Sequence, residues 1–194
     1  MKIVLNILLT AAVLGLVYLL YVSIAEPIQF KEEWKLRERK VANQLEDVRK
    51  AQIAFKDIVG YYATTFDTLA QVLKTENFKI KTTIGDPDDP NSNFREFYTE
   101  VPAIDSINAM GINLDSLAYI PYSDGEEFTI IAKVLPEYQS AKNIAVISVS
   151  TTVETYMGPW GAKRFNRYDA MYNPKAKLFF GNLEKPSTDG NWRK

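Results

Sequence analysis

The sequence predicts an α+β protein in which an N-terminal apolar helix continues into a long amphipathic helix, and that helix packs on a mostly antiparallel β-sheet. Three observations carry the prediction. Residues 3–25 are apolar apart from Asn6, Thr10 and Ser23. A seven-residue apolar repeat then runs through a stretch free of glycine and proline. Beyond Glu76 the helical spacing gives way to strand-like alternation.

The apolar run comes first. A helix needs roughly 20 apolar residues to cross a ~30 Å hydrocarbon core, and residues 3–25 supply that length. Ser23 and Ala25 place small residues at −3 and −1 of a signal-peptidase site,. The run nevertheless exceeds the usual ~7–15-residue apolar region of a signal peptide. Tyr18 and Tyr21 suit an interfacial aromatic belt,. Residues 1–25 are therefore expected to stay on the chain as a single-pass anchor in the lipid bilayer. Lys31, Lys35, Arg37, Arg39 and Lys40 follow soon after it. Counted alone they would hold the domain inside. Glu26 and Pro27 stand at the immediate exit instead, and export explains the apolar run best, so the domain is expected on the outer side of a cell membrane.

Residues 26–60 form the stalk. Pro27 marks a kink, because proline removes a helical hydrogen bond. Trp34, Val41, Val48, Phe55 and Tyr62 recur every seven residues, with Leu45 and Val59 between them. This spacing predicts an amphipathic helix over 29–59, roughly 45 Å long at ~1.5 Å per residue. Glu38 and Gln52 interrupt the apolar seam. Two packings fit: a helix held on its own domain, or a coiled-coil or filament-core helix. The dense second half is expected to pack on its own sheet. Residues 30–41 are expected to project as an exposed stalk, with Trp34 in particular free to meet another subunit. Trp34, Val41, Val48 and Phe55 are thus the candidate membrane-proximal and assembly residues.

The globular domain is expected over 61–184, with a loose polar tail over 185–194 that Trp192 could dock. Gly60 can stop the helix in a left-handed conformation. Thr65 can cap a short helix over 66–74, whose Phe66, Leu69, Ala70 and Leu73 share a face. Phe78-Lys79-Ile80-Lys81 alternates. Further strands are expected near 97–101, 118–120, 128–134, 144–150 and 178–180. Asp124-Gly125 reads as a hairpin turn. Pro102, Pro121 and Pro136 close strands or sit on edges.

Composition narrows the chemistry. The 194 residues include no Cys and no His. That removes disulfides, cysteine nucleophiles, Ser-His-Asp triads and nearly all zinc sites. With a formal net charge of −1 and no basic face, nucleic-acid binding is not expected,. Asp86, Asp88, Asp89 and Asn91 cluster hard oxygen donors in a short loop, as calcium requires, although Pro90 breaks the EF-hand spacing,. A solvated turn accounts for the same residues. Glu126 and Glu127 are adjacent, so a strand would turn them to opposite faces. Trp160, Phe165, Tyr168 and Tyr172 offer an aromatic surface, with core or loop packing the commoner role for such residues.

Val48-Arg49-Lys50-Ala51-Gln52-Ile53-Ala54-Phe55, Gly60-Tyr61-Tyr62 and Phe66-Asp67-Thr68-Leu69 resemble the helix ending, the glycine–tyrosine turn and the following short segment of type IV pilin-like and pseudopilin-like proteins. The likeness covers roughly the first 40% of the chain. It implies a pilin-like fold and a structural or assembly role. The start, Met1-Lys2-Ile3-Val4-Leu5-Asn6, lacks the glycine cleavage site and early glutamate of pilins. Pro27-Ile28-Gln29-Phe30, the segment Asp115-Ser116-Leu117-Ala118-Tyr119-Ile120-Pro121-Tyr122 and Gly190-Asn191-Trp192 also resemble a group of single-pass bacterial envelope proteins. That likeness implies architecture and location. The expected function is a membrane-anchored, non-enzymatic envelope subunit that associates with copies of itself or with other envelope proteins. A solitary tethered binding domain, or a tethered enzyme using carboxylate or Ser/Lys chemistry, are the alternatives.

Overall fold

The computed structural model describes residues 2–84 and 95–192. One helix, α1 (Lys2–Val59), dominates it and runs without a break through Pro27. Its first turns are bare: the apolar residues from Ile3 to Tyr21 present their side chains outward. Among the described residues this is one helix long and apolar enough to cross a membrane. Its second half is the spine of the domain. Phe30, Val41, Leu45, Val48, Ala51 and Phe55 are buried along one stripe.

Glycine ends α1 as the sequence predicts. Gly60 has φ +92, and its N–H donates to the Lys56 carbonyl at 2.7 Å. Thr65 caps α2 (Phe66–Thr75), its hydroxyl accepting the Thr68 N–H. Leu69 and Leu73 turn inward from α2 against α1. The chain then forms a two-stranded antiparallel ribbon, β1 (Asn77–Ile84) with β2 (Arg95–Pro102), and a short helix α3 (Ala103–Ala109). α3 is absent from the sequence expectation. Its Ala103 and Ile107 complete the core beside α2.

The second sheet is antiparallel, in the order β3 (Thr129–Tyr138), β4 (Ala141–Thr152), β5 (Lys177–Asn182). Ile147, Val149 and Thr151 of β4, with Leu178 and Phe180 of β5, form its buried face. The β3–β4 turn is Gln139-Ser140, both at positive φ, as a two-residue hairpin demands,. Pro136 lies within β3, an edge strand, where its missing N–H costs no ladder bond,. Residues 118–120 keep a single bridge, Tyr119 to Glu127, around the tight turn that carries Gly125. Pro121 removes the donor that would lengthen that strand.

Two expectations are corrected. Residues 30–41 do not project as a stalk. They are sheathed by α4 (Val153–Met157) and the two 3-10 turns after it, Gly158–Gly161 and Lys163–Arg167. The tail is not loose either. Gly190 bridges Phe180, Asn191 holds β5 through Phe179 and Lys177, and Trp192 packs on the core. The tail therefore covers the outer edge of β5, which would otherwise expose unpaired backbone groups.

Candidate functional site

The residues with chemistry to offer gather where α1 leaves its bare half. Phe30 is fully buried there, beside Trp34 one turn on and otherwise among residues distant in sequence. Phe165 stacks on it at 5.3 Å between ring centroids and 5° between planes. Tyr172 meets it edge-on at 4.8 Å and also meets Trp34 at 5.1 Å. Trp160 and Tyr168 close the ring of aromatics. Offset and edge-to-face pairs of this kind add to plain burial. The four aromatics of the irregular segment are thus core packing around α1, the commoner of the two roles weighed above.

Charged groups rim this cluster. The Glu26 carboxylate accepts from the Tyr168 hydroxyl and pairs with Arg164 and Arg167, each at 3.7 Å. Lys31 pairs with Asp169 at 3.5 Å. The Met171 N–H bond, and then Lys31, hold the Asp169 carboxyl below its ordinary pKa. About two helical turns beyond Phe30, Arg37 is bound on every side,. It donates to Glu33 at 2.8 Å and to the carbonyls of Tyr156 and Met157 at 3.2 and 2.9 Å, and it lies over the Tyr122 ring. A cation on the last carbonyls of α4 satisfies groups that helix ends leave open. Glu38 is half-buried close by, and burial pushes its carboxyl up. Burial and then the Glu38 charge also push the Tyr156 phenol up.

The sequence-predicted residues distribute as follows. Trp34, Val41, Val48 and Phe55 lie on one stripe of α1, but they face their own domain rather than another molecule. Asp86, Asp88, Asp89 and Asn91, the candidate calcium loop, lie outside the described residues. Among the described residues, no three of His, Cys, Asp and Glu converge as a metal site would require. Two open grooves of about 380 and 360 Å³ flank the Lys74–Asp115 ion pair between α2, α3 and the 113–119 loop. Asp67, Asp115 and Glu127 line the second of them.

The residues that sequence reasoning missed are Glu26, Phe30, Arg37, Arg164 and Arg167. Phe30 had a signal: with Trp34, Arg37, Val41, Leu45, Val48, Gln52 and Phe55 it completes an unbroken stripe of three- and four-residue steps,. Comparison with known proteins finds no family model, no curated protein and no solved structure that matches this chain.

Proposed function

We propose that this chain is a membrane-anchored, non-enzymatic subunit of the bacterial cell envelope, pilin-like in plan, that associates with copies of itself or with other envelope proteins. The observation that carries the reading is α1. It is a single 58-residue helix, bare over its first 25 or so residues and sheathed by its own domain over the rest. Water would not leave so long an apolar surface uncovered, so lipid or other copies of the helix must cover it. The domain is expected on the outer side of the membrane.

A second feature supports association. The β1–β2 ribbon is amphipathic. Its register sets Ile80, Thr82, Ile84, Arg95, Phe97 and Thr99 on one face and Lys79, Lys81, Thr83, Glu96, Tyr98 and Glu100 on the other. Lys81 and Glu96 pair at 2.6 Å on the polar face. On the apolar face Ile80, Ile84 and Phe97 stay exposed. A two-stranded ribbon with one uncovered apolar face is marginal alone and gains from a partner.

Because the chain has no cysteine, single cysteines make clean reporters. The test is the size of the full chain in detergent, by ultracentrifugation or light scattering, together with disulfide cross-linking of Leu16→Cys and Phe97→Cys. Defined oligomers with cross-links at either position are expected. A monomer without cross-links would leave a solitary tethered domain and remove the assembly role.

A further inference from the structure

We propose that residues 158–172 form a rim that binds the headgroups of anionic phospholipid. This rests on the reading of residues 1–25 as a membrane anchor. Glu26 is the first charged residue after the apolar run. Arg164 and Arg167 stand 3.7 Å from its carboxylate, so they share its height above the hydrocarbon. Phe30, ringed by Trp160, Phe165, Tyr168 and Tyr172, is only about 6 Å further along the axis at ~1.5 Å per residue,. The polar layer on each side of a bilayer is itself roughly 5–7 Å deep. A helix that crosses the membrane therefore places this segment of the domain in the headgroup layer.

The composition of the rim suits that layer. Lys31, Arg164 and Arg167 face two carboxylates, Glu26 and Asp169. Glu32 and Glu33 line one groove with Trp160, and Arg37 holds Glu33. Glu26 does not use up the two arginines: their side chains remain 67% and 66% exposed. Arg164 lies over the Phe165 ring at 4.5 Å and Arg167 over Tyr168 at 4.8 Å, and Arg167 also donates to the Tyr168 hydroxyl at 2.7 Å. A guanidinium so held offers a fork of N–H donors to a phosphodiester. Tyrosine and tryptophan beside it are at home at the boundary of apolar and polar layers. The two arginines, exposed beyond Glu26, favour lipids with net negative charge over zwitterionic ones,.

The experiment uses the full chain in vesicles of phosphatidylcholine alone and of phosphatidylcholine with phosphatidylglycerol. A nitroxide is attached at Asn166→Cys, an exposed position between the two arginines, or at Leu16→Cys within the anchor. Depth is read from collisions with oxygen against a polar nickel complex. The Leu16 label is expected deep in both vesicles. The Asn166 label is expected to lose nickel collisions when phosphatidylglycerol is present, and to regain them in the Arg164→Gln, Arg167→Gln double variant. An Asn166 label that responds equally in both vesicles, or a shift that survives the double variant, overturns the headgroup rim and leaves the anchor standing. A Leu16 label in water overturns both.

Discussion

Gln52 is fully buried in the middle of an apolar stripe, yet it is not a defect in that stripe. Its amide donates to the Ala63 carbonyl at 3.2 Å, and its carbonyl oxygen accepts the Ala63 N–H at 3.0 Å. Ala63 is itself buried, in the turn that reverses the chain from α1 into α2. The two bonds do for that turn what a strand neighbour would do in a sheet. Gln52→Met keeps the length and helix propensity of the side chain and deletes both bonds. One N–H and one C=O are left buried and unpaired, at about 1–3 kcal/mol each. Burying the thioether offsets part of that, so the net loss should be about 2–4 kcal/mol. For a chain of this size that is a fall in Tm on the order of 5–10 °C. Unfolding of the full chain in detergent, followed by tryptophan fluorescence, measures the loss. Hydrogen exchange at the Ala63 amide locates it, because protection there should collapse before protection in β4. A variant within about 0.5 kcal/mol of the parent, with the Ala63 amide still protected, would refute the reasoning.

Three further outcomes are expected. Phe30→Ala should cost about 3–5 kcal/mol and loosen residues 158–172, which increased proteolytic cleavage there would report; unchanged cleavage would restore the exposed-stalk picture. The folded-state pKa of Glu38 lies above its ordinary 4.5, so the fold holds that proton more tightly than the unfolded chain does. The stability contribution of Glu38 is therefore greatest at low pH, falls as pH rises through 4.5 to the raised folded value, and is flat above it; Glu38→Gln should be more stable than the parent only above that window, as a Tm series against pH would record,. A Cβ on Gly181 would stand 2.1 Å from the Ile147 carbonyl oxygen at a φ of +85, whereas Gly125 has φ +86 with open space around it. Gly181→Ala should therefore lose about 3 kcal/mol or fail to fold, against about 1 kcal/mol for Gly125→Ala, and equal losses by urea titration would refute the clash.

Much of the fold was legible because its signals are local. The α1 stripe, the Gly60 stop, the Thr65 cap, the alternation in β1 and the apolar run of β4 each depend on neighbours a few residues away. What sequence could not provide is which surface meets which. The first part of the stripe looked thin because its partners, Phe165 and Tyr172, come some 130 residues later from a segment with no regular period. Of the two polar members of the stripe, Gln52 looked like an interruption and Arg37 was read only as one of the basic residues after the anchor. Each instead ties α1 to backbone groups of another segment: Arg37 to the end of α4, Gln52 to Ala63. A buried polar side chain in an apolar row is informative in this way, since it persists only where specific partners satisfy it. α3 was missed because a seven-residue helix after Pro102 carries too few turns to establish a period. Of the tail, only the docking of Trp192 was legible; its hold on β5 runs through backbone groups and Asn191, which no hydrophobic pattern reports.

The continuity of α1 also bears on how an anchored domain would behave. A flexible linker would let the domain tumble above the membrane, and its faces would meet partners in any orientation. Here no linker intervenes. The same helix that offers the bare apolar segment is clamped to the domain within one turn of Glu26 by Tyr168, Arg164 and Arg167, and again at Phe30 and Arg37. Under the anchor reading, the tilt of α1 in the bilayer fixes the pose of the domain. The β1–β2 ribbon would then be displayed at a set angle to every neighbouring copy. Such pre-orientation lowers the entropy lost on lateral association, so weak contacts between apolar ribbon faces can suffice where free domains would need a large interface. Inserting a short Gly-Ser segment after Ala25 tests this directly. It leaves the anchor and the domain intact but uncouples them. Cross-linking at Phe97→Cys should fall while cross-linking at Leu16→Cys persists. Equal cross-linking at Phe97 with and without the insertion would show that orientation contributes nothing, and that any association is driven by the anchor helices alone.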